Sequence, residues 1–404
     1  AVLSDSFKLP RTISYWSVRG GYAEVGSDTE PYRLENSYAY SSAYGSQSGV
    51  VMPTTLSNSN LKPERMHSIE VGTDLKLFND RVDLDLTYYN TLNSNQIVQI
   101  PVSATSGYNS RFINAGEIRN YGVEAVLSFT PLKMRNSFQW DSRINFSANR
   151  SRVEKINSEY KQYVYSWAAI YSDQDARVYA IAREGEPMGN LYGTGFKHTD
   201  KGEIIVDKTG LPVSDPTLVK LGNYNPDFIM GFYNKFSYKG FSLDFLLDWH
   251  QGGVFVSRTF GMDMESGVLD KTANRKPEDM VINGVCWDQS SNSYVKNTIQ
   301  LSPRDYYRNL YRRYHETQST FSSTFVKLRE VKLGYSLPSS LLKKTPVKDL
   351  KLSIVGRNLF MWTKGQSYVD PEAITYEGSS ITSGVEEMSY PTTKSIGFNI
   401  NLIF

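Results

Sequence analysis

The sequence predicts an all-β fold, a transmembrane antiparallel β-barrel, and two observations carry that prediction. The first is an alternation of apolar and polar side chains at every second residue, which recurs in about ten segments. The second is that the connections between these segments are alternately long and short, as the outer loops and periplasmic turns of membrane barrels are. A soluble β-sandwich or propeller has no reason to follow that second rule, so the connections favour a membrane barrel.

The alternation is clearest in the last strand of the chain. One face of that strand carries an apolar residue at every second position, namely Ile396, Phe398, Ile400, Leu402 and Phe404. In other segments the opposite face carries charges in mid-strand, among them Asp83, Asp85, Asp141 and Arg143. In a barrel these charges would face the lumen, whereas in a sandwich they would face bulk water.

The alternating segments predict ten strands, near residues 12–25, 65–78, 81–93, 114–130, 137–152, 228–238, 240–251, 324–336, 349–361 and 392–404. The long connections, predicted to be extracellular loops, lie at about 26–64, 94–113, 153–227, 252–323 and 362–391. With an even number of strands, both chain ends are predicted on the periplasmic side. Residues 1–404 are thus expected to belong to one transmembrane barrel domain.

One predicted strand changes face part-way along. Its apolar side chains up to Leu328 lie on even positions, and those from Val331 onwards lie on odd positions. One extra residue in a strand has this effect, because it exchanges the two faces. A β-bulge is therefore predicted near Arg329–Glu330.

Composition excludes several classes of function. Lys plus Arg number 44 and Asp plus Glu number 42, so the basic excess of a nucleic-acid-binding protein is missing. The single cysteine, Cys286, excludes a disulfide within the chain. The four histidines are not spaced as metal ligands and no nucleophile motif is present, so we predict no metal, no cofactor and no enzyme activity.

Residues 1–10 lack a signal-peptide pattern, which leaves processing and truncation both open.

Five short motifs follow one another along the chain: Asn60–Arg65, Phe112–Asn120, Leu221–Asp227, Val326–Pro338, and Val355–Phe360 followed by Asp370-Pro371-Glu372. In this order they resemble the SusC/RagA family of TonB-dependent transporters of Bacteroidetes, from about Tyr15 to Phe404. The resemblance implies that the chain is the C-terminal part of a barrel of about 22 strands, with the plug domain absent from this chain. The first and last strands are then expected not to pair with each other.

The resemblance also implies a location and partners. The implied location is the outer membrane of a Gram-negative bacterium, in contact with lipid and lipopolysaccharide. The implied activity is import of oligosaccharides or oligopeptides with a SusD-like surface lipoprotein, driven by TonB through the missing N-terminal part. The final strand, ending in Phe404, resembles the signal read by the barrel-assembly machinery. The alternatives are a structural or binding subunit without import, a barrel enzyme, and a soluble all-β carbohydrate-binding protein.

Two aromatic segments in the predicted loops are candidate contact surfaces. The segment 304–314 combines Tyr and Arg, which are enriched at interface centres and suit sugar rings or peptide carboxylates. The alternative for this segment is a basic helix that packs on its own barrel or meets lipopolysaccharide. The second segment, 160–171, is rich in Tyr and Trp, and its alternative is a loop folded on itself. The predicted contacts with substrate or lid are Tyr163, Tyr165, Trp167, Tyr306, Tyr307, Arg308, Tyr311 and Arg312. The glycine-rich piece Gly189–Gly195 is expected to be a tight turn.

Overall fold

The computed structural model describes the backbone of residues 2–7, 9–45, 47–134, 138–156, 160–170, 173–311, 315–365, 368–373 and 383–404, and the side chains of these residues except 5, 6, 43, 44, 167–170 and 173–177. The strands in this part of the chain are β1 Ile13–Ser27, β2 Ala39–Tyr44, β3 Gln47–Val51, β4 Thr55–Leu56, β5 Glu64–Leu77, β6 Val82–Ser94, β7 Ile97–Pro101, β8 Ser110–Asn114, β9 Glu117–Lys133, β10 Phe138–Lys155, β11 Gln162–Ile170, β12 Asp173–Arg183, β13 Asn190–Phe196, β14 Ile204–Val206, β15 Ser214–Asn223, β16 Phe228–Tyr238, β17 Phe241–Gln251, β18 Val254–Ser257, β19 Gly284–Asp288, β20 Ser293–Lys296, β21 Thr320–Ser322, β22 Phe325–Ser336, β23 Asp349–Thr363, β24 Val385–Glu386 and β25 Ser395–Ile403. The helices are α1 Leu3–Ser6, α2 Arg258–Ser266, α3 Pro303–Leu310 and α4 Ser339–Leu342, with 3-10 turns at Ala104–Ser106, Asp270–Ala273, Pro277–Asp279 and Glu316–Ser319.

Ten long strands form one antiparallel sheet, which we call the wall. Its order is β1-β5-β6-β9-β10-β16-β17-β22-β23-β25, so each strand pairs with the next long strand along the chain. These are the ten predicted strands, with ends no more than three residues from those predicted, and the predicted all-β fold is confirmed. Strands β1 and β25 lie at opposite edges and, within the described residues, do not pair with each other. None of the described helices is long and apolar enough to cross a membrane.

The connections between wall strands differ in length at the two ends of the sheet. Since neighbouring strands are antiparallel, alternate connections lie at opposite ends. One end has the short connections 78–81, 134–137, 239–240 and 337–348, and the other has the long connections 28–63, 95–116, 156–227, 252–324 and 364–394. In the shortest turn Lys239 and Gly240 both have positive φ, as a two-residue hairpin turn that matches the strand twist requires.

The wall has one apolar and one polar face, because its register aligns the alternating side chains. One row across six neighbouring strands is apolar throughout, namely Leu84, Leu127, Ile144, Phe232, Leu247 and Leu328. The adjacent row, one residue along, faces the other way and contains Asp85, Val126, Asn145, Gly231, Asp248 and Lys327. An outward apolar band and a polar inner face are the pattern of a transmembrane barrel wall.

The predicted bulge is confirmed at Arg329. The register of β22 with β23 shifts between Leu328 and Glu330, and its register with β17 shifts beside Leu246. Arg329 donates hydrogen bonds to Asp248, and Glu330 pairs with Arg357. Two consecutive side chains therefore make contacts on the polar face. The extra residue thereby returns Val331 and the following apolar side chains to the apolar face.

The long connections pack together into a layer at their end of the wall, which we call the cap. One apolar core joins connection 95–116 to connection 156–227 through Ile100, Ile113 and Ala182. A second core joins 156–227, 252–324 and 364–394 through Leu191, Val256 and Val385. Connection 28–63 joins the cap where β4 pairs with β8. The cap is therefore built from segments that are far apart in the sequence.

Candidate functional site

The polar face of the wall carries paired charges and a shallow hollow. Arg19 lies 2.8 Å from Asp74 and also pairs with Asp85 on the next strand, so that one guanidinium joins three strands. Beside them lies a hollow of about 310 Å³, whose polar lining includes Asp85, Thr87, Glu124, Asn145 and Ser147. Such a surface offers hydrogen bonds of both kinds to a polar molecule that moves along it.

A buried cluster of ions, which we call the base cluster, fastens the last long connection to the wall. It comprises Lys327, Arg329 and Asp248 of the wall together with Asp370 and Glu372 of connection 364–394. The ammonium of Lys327 donates to both carboxylate oxygens of Asp370 at 2.8 Å and to Glu372 at 2.6 Å. The Arg329 guanidinium bridges Asp248 and Glu372, with Nη1 2.7 Å from Glu372. Burial by itself would raise the pKa of Asp370, but the hydrogen bonds from Lys327 and Thr392 outweigh it and lower that pKa.

A second polar contact, the tip cluster, fastens the same connection to helix α2. The carboxylate of Glu386, which is 1 % exposed, accepts hydrogen bonds from the hydroxyls of Ser257 and Thr259, each at 2.6 Å. Ser257 is also the N-cap of α2, because its hydroxyl accepts from the amide of Phe260. Arg258 pairs with Glu387 at 3.1 Å. A carboxylate at a helix N-terminus is favoured by the helix dipole, so this end of α2 suits Glu386.

Helix α3 forms within the predicted Tyr- and Arg-rich segment. Ser302 caps it by accepting from the amide of Asp305, and Pro303 occupies its first turn. Tyr307 is 8 % exposed and donates to the carbonyl of Asn274 at 2.7 Å, and Tyr311 packs edge-on against Phe260. Both rings thus stabilise the cap.

The exposed side of α3 borders a cleft with α2. Tyr306 is half-buried at the helix surface, and Arg308 lies 3.4 Å from Glu265 of α2. The cleft encloses about 480 Å³ and is lined by Met262, Asp263, Glu265, Ser266, Arg304, Arg308 and Met388. Of the residues predicted in this segment, Arg308 is the one that lines the cleft. Arg304, which the prediction omitted, faces the same cleft, while Arg312 lies outside the described residues.

The described tyrosines of the other predicted aromatic segment pack inside the cap. Tyr163 is 6 % exposed and belongs to the core with Ile100 and Ala182, and burial raises its pKa to about 12. Tyr165 is half-buried, its pKa is raised by burial, and its hydroxyl accepts from the amide of Gly189. The side chain of Trp167 lies outside the described residues. A loop folded on itself, the alternative reading of this segment, fits the packing of Tyr163 and Tyr165.

Gly189 lies in a turn, but the rest of the glycine-rich piece belongs to strand β13 and not to the tight turn that the sequence suggested. Gly193 and Gly195 belong to β13, where a side chain would collide with the turn at Glu316–Ser319. A Cβ on Gly193 would lie 2.8 Å from the Cβ of Glu316, and one on Gly195 would lie 2.9 Å from the hydroxyl of Thr317. The glycines therefore permit close packing of two cap segments, which a local sequence pattern does not reveal.

Glu316 is a buried acid inside the cap. It is 2 % exposed, and its Oε2 accepts from both the amide and the hydroxyl of Thr194. Its Oε1 has no hydrogen-bond partner among the described atoms. Burial raises the pKa of Glu316, and the bonds from Thr194 offset this only in part. The folded cap therefore favours the protonated acid.

We expect the substitution Glu316→Gln to reduce the pH dependence of cap stability. A folded-state pKa above the unfolded value of 4.5 means that the stabilisation is complete below that pH and is lost as the pH rises through the folded pKa. A neutral amide keeps the contacts of the protonated acid at every pH. Hydrogen exchange of the β13 amides, measured from pH 4.5 to about 7, should accelerate with pH in the natural protein beyond the intrinsic chemical trend.

The exposed Glu203 provides the control, as Glu203→Gln in connection 156–227, the connection that contains β13. That variant should keep the pH dependence of the natural protein. Equal pH dependence in Glu316→Gln and the natural protein would show that Glu316 does not titrate in this range.

Phe404, predicted as an assembly signal, follows the edge strand β25 and is exposed. Lys348, the last residue of the short connection 337–348, donates to the carbonyl of Phe404 at 2.9 Å. The apolar residues of β25 at 396, 398 and 400 are all more than half exposed, as expected for an edge strand with a neighbour on only one side.

The base and tip clusters were missed from the sequence. Lys327 and Arg329 occur in one of the motifs of the sequence, and Asp370-Pro371-Glu372 occurs in another. Lys327 and its partner Asp370 are 43 residues apart, so the sequence did not show that they are in contact. The available signal was the pair of cations around a predicted bulge, since buried cations need carboxylate partners.

Known proteins resemble the chain along nearly its whole length. Residues 4–191 match the family described as TonB dependent receptor-like, beta-barrel. TonB-dependent receptor P3 of Formosa agariphila is 27% identical over 428 residues, covering 98% of this chain and 40% of the receptor. TonB-dependent receptor P26 of the same organism is 23% identical, covering 97% and 40%. The chain spans about two fifths of the length of these curated relatives.

Among solved structures, the RagAB peptide transporter superposes with a TM-score of 0.72 at 20% identity, covering 99% of this chain and 42% of that one. The RagAB peptide importer in its "open-open" state superposes with a TM-score of 0.69. These matches confirm the resemblance to SusC/RagA TonB-dependent transporters and the β-barrel fold. The relatives are receptors and transporters, in agreement with the prediction that the chain is not an enzyme.

Proposed function

We propose that residues 1–404 form the C-terminal part of one barrel domain of a TonB-dependent importer in the outer membrane. The observation that carries this proposal is the wall, which joins an apolar face to a polar face bearing charged rows such as Asp85, Asp248 and Lys327. The apolar face would meet lipid and lipopolysaccharide, and the polar face would line the path of the imported molecule. The long connections would lie outside the cell and both chain ends would lie in the periplasm.

We propose that the cap meets the substrate and a SusD-like lipoprotein lid, and that TonB supplies the driving force. The cleft between α2 and α3 supports this role, because it presents Arg304 and Arg308 opposite Asp263 and Glu265. Cations and carboxylates on facing sides suit the two ends of an oligopeptide. The RagAB neighbours are described as a peptide transporter and a peptide importer, which favours oligopeptides over oligosaccharides as the first class to test. We propose Arg304 and Arg308 as contacts in this cleft, and Phe404 as part of the signal for the barrel-assembly machinery.

Uptake measurements test the import proposal. Cells that carry this protein, cells that lack its gene and cells that lack TonB should be compared for uptake of labelled oligopeptides and labelled oligosaccharides. We expect uptake of one of the two classes to depend on both the gene and TonB. Equal uptake of every probe in all three strains would contradict import.

The second candidate, a binding or structural subunit without import, is supported by the tight packing of the cap. In that case the protein would capture a labelled probe at the cell surface, but no label would enter the periplasm of the natural strain. Fractionation of the cells after uptake therefore separates the two functions.

A further inference from the structure

The base cluster fastens both ends of the last long connection to one buried lysine. Lys327 is 1 % exposed, and the carboxylate of Asp370 that it binds also accepts from the hydroxyl and the amide of Thr392. Asp370 lies near the start of connection 364–394, and Thr392 lies near its end. Breaking the contact at Lys327 would therefore loosen the whole connection at its base.

The position of Lys327 places the segment 370–372 on the inner side of the wall. Lys327 stands in the same row as Asp248 and Asp85, on the polar face. Since Asp370 and Glu372 reach Lys327 and Arg329 from the cap, the segment 370–372 lies against the polar face and not against the apolar one. In a barrel, that is inside the mouth.

The chemistry of the base cluster indicates that it positions the segment 370–372, and does not mainly stabilise the folded protein. A buried ion pair gains little net stability over apolar residues of the same size, because both charges lose their hydration. Its geometry is nevertheless strict, since Lys327 satisfies three acceptors on Asp370 and Glu372 and Arg329 bridges Glu372 to Asp248. The tip cluster fixes the far part of the same connection on α2. The connection is thus held at two defined points.

We propose that Lys327 and Arg329 are positioning residues for import, which hold the segment 370–372 inside the barrel mouth, where it narrows the entrance. The inference rests on the import function proposed above. The segment would limit the length or width of the molecule that enters, and the two cations would act through Asp370 and Glu372 without touching that molecule.

Hydrogen exchange on the intact protein tests whether Lys327 holds the connection. We expect Lys327→Met to accelerate exchange at the amides of Glu372, Ala373 and Thr392, which bond to Asp370, by about tenfold or more, while the amides of β22 and β23 stay protected. Lys332→Met is the matched control, because Lys332 lies on the same strand and face with no ion pair among the described residues. Lys327→Arg should restore slow exchange. Unchanged exchange at Glu372, Ala373 and Thr392 in Lys327→Met would overturn the proposal.

A double substitution covers the case in which Lys327→Met fails to fold with Asp370 left unpaired. Lys327→Met with Asp370→Asn removes one cation and one carboxylate together, and leaves Arg329 with its two acid partners. This variant should keep a protected wall and still show fast exchange at Glu372, Ala373 and Thr392. Exchange as slow as in the natural protein would likewise overturn the proposal.

Uptake of fluorescein-labelled oligopeptides of graded length tests the effect on passage. Relative to the amount of protein in the outer membrane, Lys327→Met should raise the ratio of long to short peptide taken up by about threefold or more, and Lys332→Met should not. An unchanged ratio would overturn the claim that the segment narrows the entrance. Absence of all peptide uptake in the natural strain would instead count against peptide import, and the exchange experiment would still decide whether Lys327 holds the connection.

Discussion

Substitution of Leu127 by arginine should destabilise the protein in a bilayer by about 2–4 kcal/mol, whereas Val126→Arg should change its stability by less than about 1 kcal/mol. The two residues are neighbours on β9 but lie on opposite faces. Leu127 pairs with Leu84 and Ile144 in the apolar row, so an arginine there would meet lipid. Val126 pairs with Asp85 and lines the hollow on the polar face, where a guanidinium finds water and a carboxylate.

Urea unfolding of the intact protein in phospholipid vesicles measures this difference. The comparison is internal, because both variants add the same side chain at nearly the same depth. If Val126→Arg proved the more damaging of the two, the apolar face could not be the lipid-facing one. Equal losses would indicate that neither face meets lipid.

Substitution of Gly116 by alanine should cost about 2–4 kcal/mol, the sum of a left-handed backbone and a steric collision. Gly116 has φ +57°, and a Cβ there would lie 1.8 Å from the carbonyl oxygen of Lys155 and 2.2 Å from that of Ile156. These are backbone atoms at the end of β10, which cannot turn away as a side chain would. The preceding Ala115 is 1 % exposed in the cap core, so the damage would spread into the cap.

Gly107→Ala is the matched control for this prediction. Gly107 has φ +81°, but a Cβ there would have no atom within 4 Å. Gly107→Ala should lower the stability of the protein only by the cost of the left-handed backbone, about 1 kcal/mol. Thermal unfolding of the intact protein measures both variants. Similar losses for the two would show that the backbone conformation alone explains the need for glycine.

The wall was predictable because each of its strands carries its own signal. Alternation at every second residue fixes which side chains share a face, and the apolar face fixes the register of neighbours. The bulge at Arg329 was predictable for the same reason, since the apolar positions change parity there. The predicted ends agree with the observed ends for the strand Phe228–Tyr238, where a short turn and a change of composition coincide.

The cap was not predictable to the same degree, because its contacts join distant segments. Thr194 bonds to Glu316 across 122 residues, and Ser257 bonds to Glu386 across 129. Aromatic residues in a loop are equally compatible with a core and with an exposed surface, which is why Tyr163 could not be assigned from its neighbours. Glycines such as Gly193 depend on a partner that local sequence does not show.

The attachment of each cap segment to two wall strands has a kinetic consequence. Connection 364–394 begins at the end of β23 and returns at β25, which pairs with β23, so its two ends stay together even when the base cluster opens. Asp370 then remains tethered near Lys327 at a high effective concentration, of the order of millimolar or above. Opening and closing are therefore unimolecular steps that do not depend on the amount of protein. Under the import function proposed above, a connection displaced by a passing molecule would return to the same contacts through many cycles.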